Sequence, residues 1–90
     1  MLIRVTEEHL SRGMDTDIWV NPLLLALDDA FPGGAVVPIP EENAMAVTTL
    51  GVTRRYVLPP VADLFSRRFH DGWYKDELGT IEFELVTGGT

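Results

Sequence analysis

The chain contains no cysteine. That excludes a disulfide framework, a thiolate metal site and a cysteine nucleophile, and it fits a reducing, cytoplasmic setting. Long hydrophobic runs are also missing. The longest, Leu23 to Leu27, falls far short of a bilayer span, so no membrane partner is expected. The opening MLIRVTEEHL is charged from Arg4 onward and lacks the apolar stretch of a secretory signal. Basic residues are scarce, 7 Lys and Arg against 14 Asp and Glu, for a net charge of −7. A surface of that sign repels a phosphate backbone, which argues against duplex nucleic acid as a partner. Only His9 and His70 supply imidazoles, and no His-x-x-x-His pair exists; Asp15-Thr16-Asp17 is too short a carboxylate motif to specify a metal. His70 follows Ser66 and Asp63 on one helical face, a geometry seldom used to activate a nucleophile. No Gly-x-Ser-x-Gly elbow, phosphate loop or dinucleotide fingerprint is present. The expectation is a protein with no catalytic residue, metal or cofactor.

What is present is unevenly distributed. The stretch Arg54 to Lys75 holds five cations against two carboxylates, a net +3, while the remaining residues hold two cations against twelve carboxylates, a net −10. Five of the eight aromatic residues lie in the same stretch. A cationic, aromatic segment in an acidic chain can hold an anion that the rest of the surface repels. Arg54, Arg55, Arg67, Arg68 and Lys75 are the candidate phosphate or carboxylate ligands. Tyr56, Trp73 and Tyr74 are the candidate stacking partners for a base. Strand alternation places Arg54 and Tyr56 on one face and Arg55 on the other. Arg68 falls within the apolar arc of its helix, so it either runs outward along its own stem or meets a carboxylate or a ligand. Trp73 and Tyr74 follow a helix stop, where they either cover the core or stack on a partner.

Hydrophobic patterning over 90 residues predicts one domain, 1–90, of α+β class. Leu2 to Val5 reads as a strand, with Ile3 and Val5 on one face. Thr6 then caps a short helix, Glu7 to Arg12, for which Gly13 offers a left-handed stop. Asn21-Pro22 starts a helix that runs to about Ala30, its core side formed by Leu23, Leu24, Ala26, Leu27, Ala30 and Phe31. Leu25 lies off that side, either as a staple against Val20 or as a partner contact. Asp28 and Asp29 sit at the disfavoured negative end of this helix, first of all as a solvated pair that tolerates the cost, or else compensated by Arg54, Arg55 or Arg68. Strands follow at Ala35–Ile39, Met45–Leu50 and Arg54–Leu58, the first an edge strand because of Pro38. A helix from Pro60 to Asp71 turns Val61, Leu64, Phe65 and Phe69 to the core and stops at Gly72. A last strand alternates Ile81, Phe83 and Leu85 with Glu82 and Glu84, and Gly88-Gly89-Thr90 is a frayed tail. The order β-α-α-β-β-β-α-β predicts a small, mainly antiparallel sheet of four to five strands with helices packed on one face.

The pattern Ile3-x-Val5-Thr6-x-x-His9-Leu10-x-x-Gly13, followed by Pro22-Leu23-x-Leu25-Ala26-Leu27-x-x-Ala30-Phe31, resembles a family of small proteins from phages of actinobacteria and related prophages. Members often carry cysteine directly before the proline, where this chain has Asn21. The resemblance covers residues 3–31 and implies a fold and a phage origin, with no activity attached. A small non-catalytic phage protein is expected to bind something of the host. The first expectation is capture of a small anionic, nucleotide-like ligand such as an immune signal, an anti-defence role set in the host cytoplasm. A site of that size is expected between the subunits of a homo-oligomer. The alternatives are inhibition of a host protein through the acidic surface, or a structural or assembly part of the virion. The acidic candidates are Glu7, Glu8, Asp15, Asp17, Asp28, Asp29, Glu41, Glu42, Glu82 and Glu84.

Overall fold

The computed structural model describes residues 1–15 and 18–87. In β1 (Leu2–Val5), Ile3 and Val5 are buried and alternate with exposed Leu2 and Arg4, as a period of two requires. Helix α1 (Glu7–Met14) buries His9, Leu10, Gly13 and Met14 and runs past its predicted end. Gly13 is therefore not a left-handed stop. A β-carbon there would lie 2.3 Å from the carbonyl oxygen of Val20. Glycine is needed because the returning chain crosses the helix at this point and donates the Val20 N–H to the Gly13 carbonyl at 2.8 Å.

Helix α2 (Pro22–Ala30) begins as predicted. The Asn21 side-chain oxygen accepts from the Leu23 N–H at 3.0 Å, and Pro22 occupies the first turn, where a missing donor costs nothing. Leu23, Ala26 and Leu27 are buried, while Leu24, Ala30 and Phe31 pack against them half-exposed. Leu25 is half-buried beside this set.

Strands β2 (Ala35–Ile39), β3 (Ala44–Thr49) and β4 (Val52–Val57) form an antiparallel meander. Pro38 lies on the edge strand β2, where its missing N–H breaks no ladder. The β3–β4 turn is Leu50-Gly51, with φ of 51° and 78°. Helix α3 (Pro60–His70) closes as a Schellman motif: Gly72 takes φ 91°, its N–H reaches Phe69 O at 3.1 Å, and the Trp73 N–H reaches Arg68 O at 3.0 Å. The short helix α4 (Lys75–Leu78) then follows.

The expected α+β class and element order stand, with α4 and a final short strand added. The single expected sheet does not. There are two antiparallel sheets, β1–β5 and β2–β3–β4–β6, because the last apolar run changes partner halfway. β5 (Ile81–Glu84) pairs with β1, and β6 (Val86–Thr87) pairs with β4. Buried Leu85 lies at the break, its N–H bonded to the Met1 carbonyl at 2.8 Å. α3 also sits differently from its predicted setting. Ala62, Phe65 and Phe69 are buried, whereas Val61 and Leu64 are 41% and 46% exposed. The buried residues of both sheets and of α1 to α4 join in one cluster. The predicted tail Gly88-Gly89-Thr90 lies outside the described residues.

Candidate functional site

A groove of about 530 Å³ lies between α2, α3 and the β2–β3 hairpin. Its floor is aliphatic: Leu23, Leu24 and Leu27 from α2, Ile39, Ala44 and Met45 from the hairpin, and Leu58. Polar groups come from α3 and the start of α2, with Asn21, Asp63, Ser66, Arg67 and His70, and from the hairpin, with Asn43. The sequence places four of these together, because Asp63, Ser66, Arg67 and His70 recur at three- and four-residue intervals on α3. Asn21 fixes the other wall. Its oxygen caps α2 while its amide donates to Ser66 Oγ at 3.0 Å, tying the start of α2 to the middle of α3. An aliphatic floor with a few convergent polar groups is the usual form of a small-molecule site, and this volume falls in its range.

The eight residues singled out from the sequence are divided among several places. Arg67 stands on the groove rim, its Nε 3.1 Å from Asp63 one turn earlier. Arg68 points to another flank of α3, with its guanidinium 4.6 Å from the centre of the Trp73 ring. The Schellman closure explains this contact, since that motif brings the second residue after the helix back onto its last turn. Exposed Val61 and Leu64 share that flank by helical spacing.

On β4, Arg54 and Tyr56 share a face, and Tyr56 packs on Phe31 at 5.4 Å between ring centres. Arg55 points the other way and meets Glu42 at 3.6 Å. Tyr74 and Lys75 both close on Asp15: the Tyr74 hydroxyl donates to one carboxylate oxygen at 2.9 Å and the Lys75 ammonium to the other. The Trp19 ring is tilted against those of Phe69 and Tyr74, its centre 6.0 Å from each. Three of the five cations are thus paired with carboxylates of the chain itself.

The Asp15 contacts shift every participant in the direction their chemistry requires. The Lys75 ammonium and then the Tyr74 hydroxyl hold the Asp15 carboxyl below its usual range. The same carboxylate raises the Lys75 ammonium and the Tyr74 phenol above theirs. The rest of the Asp15-Thr16-Asp17 motif lies outside the described residues. Among the described residues no three His, Asp or Glu side chains gather as a metal site would need.

A second polar knot was missed by sequence reasoning. His9 is buried between α1 and α2, where its Nδ1 accepts the Thr6 N–H at 3.0 Å and its Nε2 lies 2.8 Å from Asp29. Accepting at Nδ1 puts the ring proton of the neutral imidazole on Nε2, so His9 donates to Asp29. Arg12 donates to the same oxygen at 3.0 Å. The His9 bond, and after it the Arg12 bond, hold the Asp29 carboxyl below its usual range. Asp29 is therefore compensated from α1, not by Arg54, Arg55 or Arg68. The signal was the Thr6-x-x-His9 spacing, in which an N3 side chain reaches back to the N-cap amide as in a capping box.

Among the described residues no helix is long and apolar enough to cross a membrane. No protein family, curated protein or solved structure matches the chain, so the site must be read from its own geometry.

Proposed function

We propose that the chain is a non-catalytic binding protein that captures a small anionic, nucleotide-like ligand in the α2–α3 groove. One observation carries the reading: an aliphatic lining is bordered by Asp63, Ser66, Arg67 and His70 along α3, with Asn21 and Asn43 as further polar groups. A flat ring lies on the leucines, and an anionic group takes the Arg67 guanidinium from Asp63. That exchange is feasible because an exposed helical pair holds its partners by only about 0.3–0.5 kcal/mol. Arg67 is thus the member of the basic stretch that this reading assigns to the ligand. The resemblance of residues 3–31 to phage proteins supplies the setting, removal of a nucleotide signal in the host cytoplasm.

Native mass spectrometry against a mixed nucleotide and cyclic-nucleotide library tests it directly. The expected result is one retained small anion, lost in Arg67→Glu and kept in Arg68→Glu, whose side chain lies on another flank. Retention of the same anion by Arg67→Glu would overturn the reading.

A protein partner is the second reading, favoured by the open α3 flank. Val61, Leu64 and the Arg68–Trp73 pair combine aliphatic surface with the residue types that dominate binding energy at protein interfaces. A clean pull-down together with ligand retention would remove it.

A further inference from the structure

The tip of the β3–β4 hairpin breaks two rules at once. Two-residue hairpin turns with both φ values positive select Asn, Asp or Gly, because a β-carbon disfavours the left-handed region. Here the first position is Leu50, at φ 51°. Its side chain is also 97% exposed, the extreme for any large apolar residue in the molecule's described part. A residue that strains the backbone and gains no burial within its own chain is a candidate for burial against another.

The adjoining surface is suited to such a contact. Leu50 also forms one edge of a shallow depression of about 280 Å³ on the face of β4 that carries Val52 and Arg54, with Phe31, Val47 and Tyr56 among its lining. The strand register places Val47 opposite Arg54 and Thr49 opposite Val52, so knob and hollow belong to one face. Arg54 lines the depression, and Asp28 is a near neighbour of its lining residue Phe31 in sequence. Arg54 has no carboxylate within reach among the described residues. Asp28, one turn before Phe31 on α2, has no cation among the described residues, although it sits at the helix end where the dipole disfavours it.

We infer that this face is a two-fold contact between two copies of the chain. Leu50 of each copy enters the depression of the other, and Arg54 of each meets the second copy's Asp28. A second copy is the occupant that the face itself specifies, because an apolar knob, an apolar hollow with Arg54 in its lining, and Asp28 one turn from Phe31, both charges without partners among the described residues, are matched reciprocally by a two-fold axis. Elsewhere the excess of carboxylates makes two copies repel.

Sedimentation velocity over a concentration series, run beside thermal melts, tests the contact. The wild-type chain is expected to form a reversible dimer. Leu50→Asn is expected to weaken it by at least about tenfold, as loss of a central apolar anchor does, while leaving the melting temperature equal or higher, since asparagine suits the turn. That pairing separates a lost contact from a damaged fold. Arg54→Glu and Asp28→Lys are each expected to weaken the dimer, and the double variant to restore it. A wild-type chain that stays monomeric into the near-millimolar range would overturn the inference. So would a dimer indifferent to Leu50→Asn, and failure of the double variant to restore association would overturn the two-fold arrangement.

Discussion

The seam between α1 and α2 and the outer side of α3 are built from the same residue types, with opposite outcomes. At the seam, His9, Arg12 and Asp29 close on one another, Thr6 is tied to His9, and Gly13 lets the Val20 backbone lie directly on the helix. Along α3, Arg67 turns to a groove, Arg68 lies on an exposed Trp73, and Val61 and Leu64 face solvent. Buried His9 must find partners or cost free energy, and it engages Asp29, and through Asp29 Arg12, although both of these are exposed. Exposed groups carry no such obligation and remain available to something else. Residue type therefore said little about role here; the location of the partner decided it.

That contrast can be broken from the seam side with the largest effect. Gly13→Ala places a methyl group 2.3 Å from the Val20 carbonyl, an atom of fixed backbone rather than a side chain that can swing away. Overpacking of this kind costs about 1–3 kcal/mol, and a melting curve of the variant should show it. A change within experimental error would mean that the Gly13–Val20 crossing is loose. Gly72→Ala is next. Its φ of 91° is a region that a β-carbon disfavours by about 1–2 kcal/mol. The variant should also release Trp73 from Arg68, seen in a Trp19→Phe background as a shift in the emission of Trp73.

Acid and alkali sharpen the comparison without mutation. Asp29 and Asp15 are both depressed in the folded chain, so their contributions are present above the ordinary carboxylate range and are lost as pH falls through it. Lys75 and Tyr74 are raised, so their contributions are complete below their ordinary values and lost as pH climbs beyond about 10. Stability should therefore be flat near neutrality and fall at both ends. Asp29→Asn should blunt the acid limb alone, and Lys75→Met should blunt the alkaline limb and, through Asp15, part of the acid one. An acid limb unchanged in Asp29→Asn would remove the His9–Asp29–Arg12 knot from the account.

Much of the fold was legible because it rests on local rules. Asn21-Pro22 marked the start of α2, Gly72 the end of α3, and the alternation in Leu2–Val5 and Ile81–Leu85 the buried faces. The site was legible only in part. Helical spacing on α3 could group Ser66, Arg67 and His70, but the leucines opposite them and the Asn21–Ser66 bond depend on how α2 docks. The change of sheet at Leu85 depends on which strand edge is free, and local sequence does not encode that. The excess of positive charge in residues 54–75 was real, yet the fold divides it among separate surfaces and offsets most of it with Glu42, Asp63 and Asp15.

The smallest expected effect separates structure from function most cleanly. Arg67→Ala removes an exposed pair between Asp63 and Arg67 whose loss costs about 0.3–0.5 kcal/mol, within the scatter of most melts. If Arg67 anchors an anion in the groove, the same change removes a charge-assisted hydrogen bond worth about 1.5–3 kcal/mol, roughly tenfold to a hundredfold in affinity. Stability and binding therefore come apart at this residue, whereas at the seam they cannot, because damage there unfolds the wall that holds the groove. Equal, small changes in both would place Arg67 with the paired cations of the surface and shift attention to the flank formed by Arg68 and Trp73.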